Sequence, residues 1–281
     1  MKLLKIIAIL CVAVLAFFSC TDYPIYDPVQ LPEYRRLVLL ITDWTNRGNG
    51  IDIPASYTVK IGNDTTTLSG TANSVENLFP AAGQYTIHIW NTADHIAVSD
   101  SIAAADYQTG GLGWFFTGKQ EVTVQNDSNY SIIVQMQQQV RQLTFELEVA
   151  DLTKERLKSL SASLSGVAGT LNIDNGTHGA PSDVALTFAE DSLDGKWKAT
   201  VRLLGMTDTS QILTLTLNFT GDDPSSYSLS SDMSNLLAEF NADKKTPLTL
   251  SSRLVETPTG ASFITDLTGW IPGEASTGTA E

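Results

Sequence analysis

Short segments in which apolar and polar residues alternate recur along most of this sequence. Alternation is clear over residues 84–90, 142–149 and 212–219, and turn residues such as Gly, Asn and Asp separate the segments. A period of two places the apolar side chains on one face of a strand, which is typical of sheets with one wet face. Strands at spacings of about 8–12 residues are typical of β-sandwiches. The sequence therefore predicts a mainly β protein built from two β-sandwiches in tandem.

Residues 232–240 break the two-residue period. Met233, Leu236, Leu237 and Phe240 follow a helical spacing instead, and either Asp232 or Ser231 is a suitable N-cap. We therefore expect one short helix over a sheet in the second domain. The domain boundary is predicted near 138–141, where the first alternating set ends. The predicted domains are an N-terminal sandwich over 36–139 and a C-terminal sandwich over 140–272, with a flexible tail over 273–281.

The N-terminus has the features of an exported protein. Lys2 and Lys5 precede thirteen uncharged residues over 6–18, a run too short for the roughly 20 apolar residues of a transmembrane helix. We interpret residues 1–19 as a signal peptide. Ser19 before Cys20 resembles a bacterial lipobox, which implies that Cys20 carries acyl chains. An ordinary secretory signal with a chance cysteine is the alternative. Residues 20–35 contain three prolines and are predicted to form an extended, lipidated tether.

Composition excludes several function classes. The formal net charge is −14, so no basic face for a nucleic acid is expected. The other cysteine, Cys11, lies inside the predicted signal, so no disulfide or catalytic thiol is expected in the mature chain. The three histidines lack the partners and spacing of a zinc site. Asp43, Asn46 and Asn49 have an every-third spacing that suggests calcium, but the twelve-residue loop with a closing glutamate is missing, and turn chemistry is the alternative. No Gly-x-Ser-x-Gly elbow or paired-carboxylate pattern is apparent. We predict no enzyme activity, no metal and no cofactor.

Two groups of surface candidates stand out. Trp114, Phe115 and Phe116 form the most conspicuous aromatic group, which is either an exposed patch for a partner or glycan, or a set of packed core residues. Asp-Ser/Thr-apolar triplets resemble the O-glycosylation sequence of Bacteroidetes envelope proteins. This resemblance implies sugar attachment at Thr65, Ser101 and Ser192, and a chance match is the alternative.

Several blocks together resemble the FimB-type fimbrial anchor family. They are DWTNR at 43–47 followed by IP at 53–54, YTI at 85–87, GWFFTG at 113–118, MQQQVR at 136–141, LSGVAG at 164–169 and FNADKK at 240–245. The resemblance implies two transthyretin-like β-sandwich domains in a type V pilus system of Bacteroidetes. It also implies an outer-membrane lipoprotein exposed on the cell surface, with other fimbrial subunits as partners. In such systems most subunits lose their first strand to a protease that cuts after arginine, whereas anchor subunits keep their lipidated N-terminus.

Arg35 and Arg36 are the candidate cut site, and a solvated pair of charges at a strand entry is the alternative. A cut there would remove the lipid and the proline-rich tether but none of the predicted β-core. We therefore predict a lipid-anchored basal subunit that attaches and limits a fimbrial fibre through strand-mediated contacts with a pilin. The alternatives are a surface glycan-binding lipoprotein and a protease-processed stalk or tip pilin.

Overall fold

The computed structural model describes residues 37–126, 128–220, 226–259, 262–267 and 270–272. The predicted signal peptide, the tether and the predicted tail lie outside the described residues. So do Cys20, Arg35 and Arg36.

The first half of the described chain is almost entirely β-structure, with a single 3-10 turn at Glu76–Leu78. Its strands are β1 (Val38–Asp43), β2 (Ser56–Ile61), β3 (Asp64–Ser69), β4 (Ala72–Ser74), β5 (Gly83–Trp90), β6 (Ile96–Ser99), β7 (Ile102–Ala105), β8 (Phe116–Val124), β9 (Tyr130–Gln135) and β10 (Gln137–Gln138).

Two of the sheets form a sandwich in this half. One has the order β4-β1-β9 and the other the order β10-β8-β5-β2-β3. Alternating residues of both sheets bury their side chains in a shared core that includes Val38, Leu40, Val59, Ile87 and Val134. Strands β2 and β3 form a hairpin, and Gly62 in its turn has a φ of 60° that favours glycine.

The second half contains two further sheets. Its elements are β11 (Arg141–Val149), α1 (Asp151–Lys154), β12 (Leu157–Asn172), β13 (His178–Thr187), β14 (Ala189–Glu190), β15 (Trp197–Leu203), β16 (Ile212–Phe219), β17 (Ser226–Asp232), α2 (Ser234–Leu237), β18 (Leu248–Thr259), β19 (Ser262–Leu267) and β20 (Ile271–Pro272). One sheet has the order β14-β15-β11-β18-β19, and β20 also pairs with β18. The other has the order β17-β16-β12-β7-β6, and β13 also pairs with β12.

The mainly β fold and the short helix are confirmed. Helix α2 is a single turn whose N-cap is Met233 and not the expected Asp232 or Ser231. The Asp232 Oδ1 accepts a hydrogen bond from the Ser234 N–H at 2.9 Å. Met233, Leu237 and Phe240 of this segment are buried in the core of the second half. The apolar residues of this segment therefore face the core as expected, although the helix covers only Ser234–Leu237 of the predicted 232–240.

A hairpin from the first half crosses the predicted boundary. Strands β6 and β7 extend the second half's sheet, because β7 pairs antiparallel with the end of β12. A third hydrophobic core lies where the two halves meet, with Leu112, Phe115, Val140, Leu171 and Leu204 among its buried members. The separate cores of the two halves favour two sandwiches. The sheet that both halves share and the third core join the two halves, however. The domain boundary at 139/140 therefore stays a prediction.

Candidate assembly surface

Two neighbouring strands of the first half have an edge with few or no partner strands among the described residues. Strand β8 pairs with β5 along nearly its whole length. On its other edge, the described strands pair only with Phe116 and Thr117, through β10. Strand β9 pairs only with β1 among the described strands. Unpaired edge N–H and C=O groups are a template on which a further strand can add.

A groove of about 570 Å³ lies along these two edges. Ile133 of β9 is 57% exposed there, which is unusual for an isoleucine in the middle of a strand. The groove carries few charges and many primary amides. Its lining residues are Thr117, Gly118, Lys119, Gln120, Ile133, Gln135, Gln137, Gln139, Ile173 and Asp174.

Gly118 sets how closely the two edges approach at this groove. A Cβ at this position would lie 2.7 Å from Val134 Cγ1, 2.8 Å from Met136 Sδ and 3.2 Å from the Gln135 carbonyl oxygen. No side chain fits at these distances without movement of β9. A glycine therefore lets β8 lie directly against β9 at one end of the groove.

The MQQQVR and FNADKK blocks meet at the junction of the halves. Gln138 is buried, and its Oε1 accepts from the Gly48 N–H at 2.8 Å. Its Nε2 donates to the carbonyl oxygens of Val140 at 2.8 Å and Lys244 at 2.6 Å. One side chain thus joins three separate segments, and its amide is fully hydrogen-bonded, as burial requires.

Arg141 binds the same turn from its other side. Its Nη1 donates to the Phe240 carbonyl at 3.0 Å and its Nε donates to the Thr246 carbonyl at 2.7 Å. The guanidinium carbon lies 5.1 Å from the centre of the Phe240 ring. Burial lowers the pKa of Arg141, and the carboxylate of Asp243 partly offsets this effect. The arginine is a structural clasp on the turn over residues 240–246.

Lys244 carries a buried ammonium with neutral partners. Its Nζ lies 3.0 Å from His178 Nε2 and donates to Gln139 Oε1 at 3.3 Å and to the Leu204 carbonyl at 3.1 Å. Burial lowers the pKa of Lys244 to about 8. Burial, with Lys244 as a second cause, lowers the pKa of His178 to about 4, so the imidazole is neutral near pH 7 and can accept a hydrogen bond.

The candidate glycosylation residues differ in exposure. Thr65 lies at the exposed start of β3, and Ser192 is exposed in the loop before β15. Ser101 is half-buried in the turn between β6 and β7, where its φ is 63°. These positions leave Thr65 and Ser192 accessible to a modifying enzyme.

The predicted aromatic patch is wrong, because its members do not share a surface. Phe115 and Phe116 are both fully buried, Phe115 in the third core and Phe116 in the core of the first half. Trp114 is half-buried and lies beneath the Arg202 guanidinium, whose carbon is 5.1 Å from the ring centre. The packing alternative describes all three side chains.

No group of three or more His, Cys, Asp or Glu side chains able to hold a metal ion occurs within the described ranges. The Asp43 carboxylate instead accepts from the Thr45 N–H at 2.9 Å, and its hydrogen bonds with Thr45 lower its pKa. His88 Nε2 lies 3.1 Å from Asp174 Oδ1, a contact between the halves. The helices of the described chain are all too short to cross a membrane.

Sequence reasoning missed the groove and the buried lysine. Ile133, Gln135 and Gln137 share one face of an extended run, so their alternation with Val134, Met136 and Gln138 was a signal for exposure. That signal indicates exposure but does not reveal which strand edge is free. Nothing in the FNADKK block distinguishes buried Lys244 from its neighbour Lys245.

Solved structures from Bacteroides and Porphyromonas species have a similar fold. A candidate adhesin from Bacteroides ovatus has a TM-score of 0.62 at 13% identity, covering 85% of this chain and 96% of that one. The fimbrial anchor protein Mfa2 from Porphyromonas gingivalis has a TM-score of 0.52 at 12% identity, covering 84% and 98%. A candidate polysaccharide-binding protein from Bacteroides thetaiotaomicron has a TM-score of 0.56 at 11% identity, covering 83% and 97%. At these identities the likeness concerns the fold.

No curated protein matches the sequence. A family model does match it, over residues 55–271, which is well over half of the chain. The matched region contains the core of the second half, most of the core of the first half, the groove beside β8 and β9, and both Gln138 and Lys244. The chain therefore belongs to the family of fimbrillin-A associated anchor proteins Mfa1 and Mfa2.

Proposed function

We propose that this protein is a lipid-anchored basal subunit of a fimbrium, held in the outer membrane through acyl chains on Cys20 and exposed on the cell surface. Family membership supports a fimbrial subunit, and the Ser19-Cys20 pair supports the lipid. Two or more acyl chains hold a protein on a membrane far more firmly than one, because each buried methylene contributes about 0.8 kcal/mol. In this role the protein binds other fimbrial subunits and needs no catalytic group.

The contact with a pilin is proposed to be the addition of a strand at the groove beside β8 and β9. The observation that carries this proposal is a groove of about 570 Å³ flanked by two strand edges that are largely unpaired among the described residues, with Ile133 exposed between them. An added strand would gain main-chain hydrogen bonds from an edge and place alternate side chains into the groove. Four glutamines, at positions 120, 135, 137 and 139, would supply further hydrogen bonds.

Cleavage at Arg35 or Arg36 would not create this groove. Strand β1 begins at Val38, after the candidate cut site, and its two sides pair with β4 and β9. A cut would thus free the chain from its lipid while leaving β1 in place. This arrangement favours the anchor over a processed stalk or tip subunit. No exposed aromatic cluster favours the glycan-binding alternative in the described part of the chain.

Replacing one exposed apolar residue tests the groove. Ile133→Lys would introduce a charge between the two edges, and we expect at least about a tenfold loss of pilin captured by the purified protein. Leu193→Lys is the matched control, because Leu193 is 94% exposed on a loop outside the groove. Equal capture by both variants would contradict the groove as the pilin site.

The lipid is tested in cells. Cys20→Ser removes the acylation site, and we expect fimbriae to appear in the culture medium instead of on the cells. Immunoblots of cell and medium fractions measure this shift. Fimbriae that stay on Cys20→Ser cells in wild-type amounts would contradict the anchor role.

Thr65 and Ser192 are proposed as sugar attachment sites, and Ser101 as a weaker one because it is half-buried. An added sugar at exposed positions would solubilise the surface. The intact mass of the protein from its native cells should fall by one glycan in each of the Thr65→Ala and Ser192→Ala variants. An unmodified wild-type mass would exclude all three sites.

A further inference from the structure

Strand β1, the first strand of the described chain, pairs with β9 in parallel. Six residue pairs join β1 and β9, from Val38 and Tyr130 to Asp43 and Gln135. Backbone hydrogen bonds close both ends of this ladder: the Tyr130 N–H donates to the Leu37 carbonyl at 2.8 Å, and the Met136 N–H donates to the Asp43 carbonyl at 2.8 Å. Because the strands are parallel, the end at which the chain enters β1 lies beside the start of β9.

The partner strand continues directly into the second half. Only Met136 separates β9 from β10, and two residues separate β10 from β11. Residues 130–149 therefore form one extended run that contains no hairpin. Its far end is embedded in a sheet, because β11 pairs with β15 on one edge and with β18 on the other.

We propose that β1 and β9 form a mechanical clamp that lets the chain carry tension between its N-terminal end and β9, the strand that borders the groove and continues into the second half. This inference rests on the proposed function, since a membrane tether preceding Leu37 supplies the pull. Tension would draw β1 toward its N-terminal end and β9 toward its C-terminal end. The two strands are thereby loaded in shear, and the ladder's hydrogen bonds must break together and not one after another.

Other contacts of β1 resist its withdrawal. On its second edge it pairs antiparallel with β4, and the Val75 N–H donates to the Val38 carbonyl at 2.9 Å. The side chains of Val38 and Leu40 are fully buried in the core. Sliding β1 along its axis would expose both side chains, whereas the third core and the β6–β7 hairpin hold the two halves together behind the clamp.

Single-molecule pulling in two directions tests the clamp. Residues 21–281 contain no cysteine, so one introduced cysteine defines the second attachment point beside an N-terminal handle. Glu148→Cys, at the far end of the run, loads β1 against β9 in shear. Asn126→Cys, at the exposed turn before β9, pulls the adjacent ends apart and unzips the same ladder.

We expect the unfolding force for the Glu148 attachment to be at least about two-fold higher than for the Asn126 attachment at the same pulling speed. Thermal unfolding of both variants without force serves as a control for equal stability. A ratio below two would overturn the clamp. That failure is distinct from failure of the anchor role, because release of fimbriae from Cys20→Ser cells and pilin capture are measured without applied force.

Discussion

The ammonium of Lys244 lies 3.0 Å from the imidazole Nε2 of His178, and both residues are half-buried where the two halves meet. The contact requires a neutral imidazole, since only an unprotonated nitrogen accepts a hydrogen bond. The junction of this protein therefore holds a cation without a carboxylate partner among the hydrogen bonds described for Lys244. Its stability should depend on pH in a direction that the two pKa values define.

Acid should destabilise the protein through His178. Its pKa is about 4 in the folded chain and 6.5 when unperturbed, so between these values the unfolded chain binds more protons. Above pH 6.5, protonation of His178 should not reduce the free energy of unfolding. Below pH 6.5 this free energy should fall as the pH drops toward 4. Because the side chain is partly exposed, the slope should stay below about 1.4 kcal/mol per pH unit.

Denaturant titrations from pH 4 to 7 measure this slope, and His178→Gln is the matched variant because glutamine keeps an acceptor but does not titrate. The variant should show a shallower slope over the same range. Identical slopes would contradict the assignment.

Lys244 affects stability in the same direction at higher pH. Its pKa is about 8 in the folded chain and 10.5 when unperturbed, so the unfolding free energy should rise with pH from pH 8 upward.

Arg141→Lys should destabilise the fold despite the retained charge. Lysine cannot donate to the Phe240 and Thr246 carbonyls in the fixed geometry of a guanidinium, so at least one buried carbonyl would lose its partner. We expect a loss of about 2 kcal/mol of unfolding free energy. Arg253→Lys, at an exposed ion pair with Glu148, should change it by less than about 0.5 kcal/mol. Equal losses in both variants would refute the clasp.

Phe115→Ala should show that the aromatic block is a packing element. Its side chain is fully buried in the core between the halves, so truncation leaves a cavity and should cost about 3–5 kcal/mol in a denaturant titration. Ile133→Ala, on the exposed face of β9, should cost less than about 1 kcal/mol. A Phe115→Ala protein as stable as Ile133→Ala would mean that the side chain is exposed after all.

Gly118→Ala should disturb the end of the groove. The added methyl would meet Val134, Met136 and the Gln135 carbonyl, and the strain should cost about 1–3 kcal/mol. Gly111→Ala is the control, because a Cβ there meets nothing within 4 Å. Differential scanning calorimetry compares the two variants. A melting temperature lowered equally by both would exclude the close approach of β8 and β9 as the cause.

Local patterns predicted the strands but not their partners. Alternation over 142–149 and 212–219 became β11 and β16, since burial of one face dictates a two-residue period. The parallel pairing of β1 with β9 joins segments about 90 residues apart, and no local pattern specifies such a pairing. The alanine-rich β7 gave a weak strand signal, so its addition to β12 was not predicted.

The contacts of the candidate site could be predicted from the sequence only in part, for the same reason. The MQQQVR and FNADKK blocks resemble family features in the sequence, but their contact through Gln138, Arg141 and Lys244 exists only in the folded chain. The run Trp114, Phe115 and Phe116 has no alternation of its own, so its burial depended on the core that receives it. Nothing in the sequence indicates that Gly118 packs closely against another strand, because its neighbours on β9 are distant in sequence.

The N-terminal residue of the protein on the cell surface tests the anchor role most directly. Mass spectrometry of the N-terminal peptide from outer-membrane fractions should find an acylated Cys20, followed by the intact tether through Arg35 and Arg36. A surface protein that begins at Arg36 or Leu37 would contradict the account, because the chain would then have lost its lipid and could not hold a fibre to the membrane through Cys20.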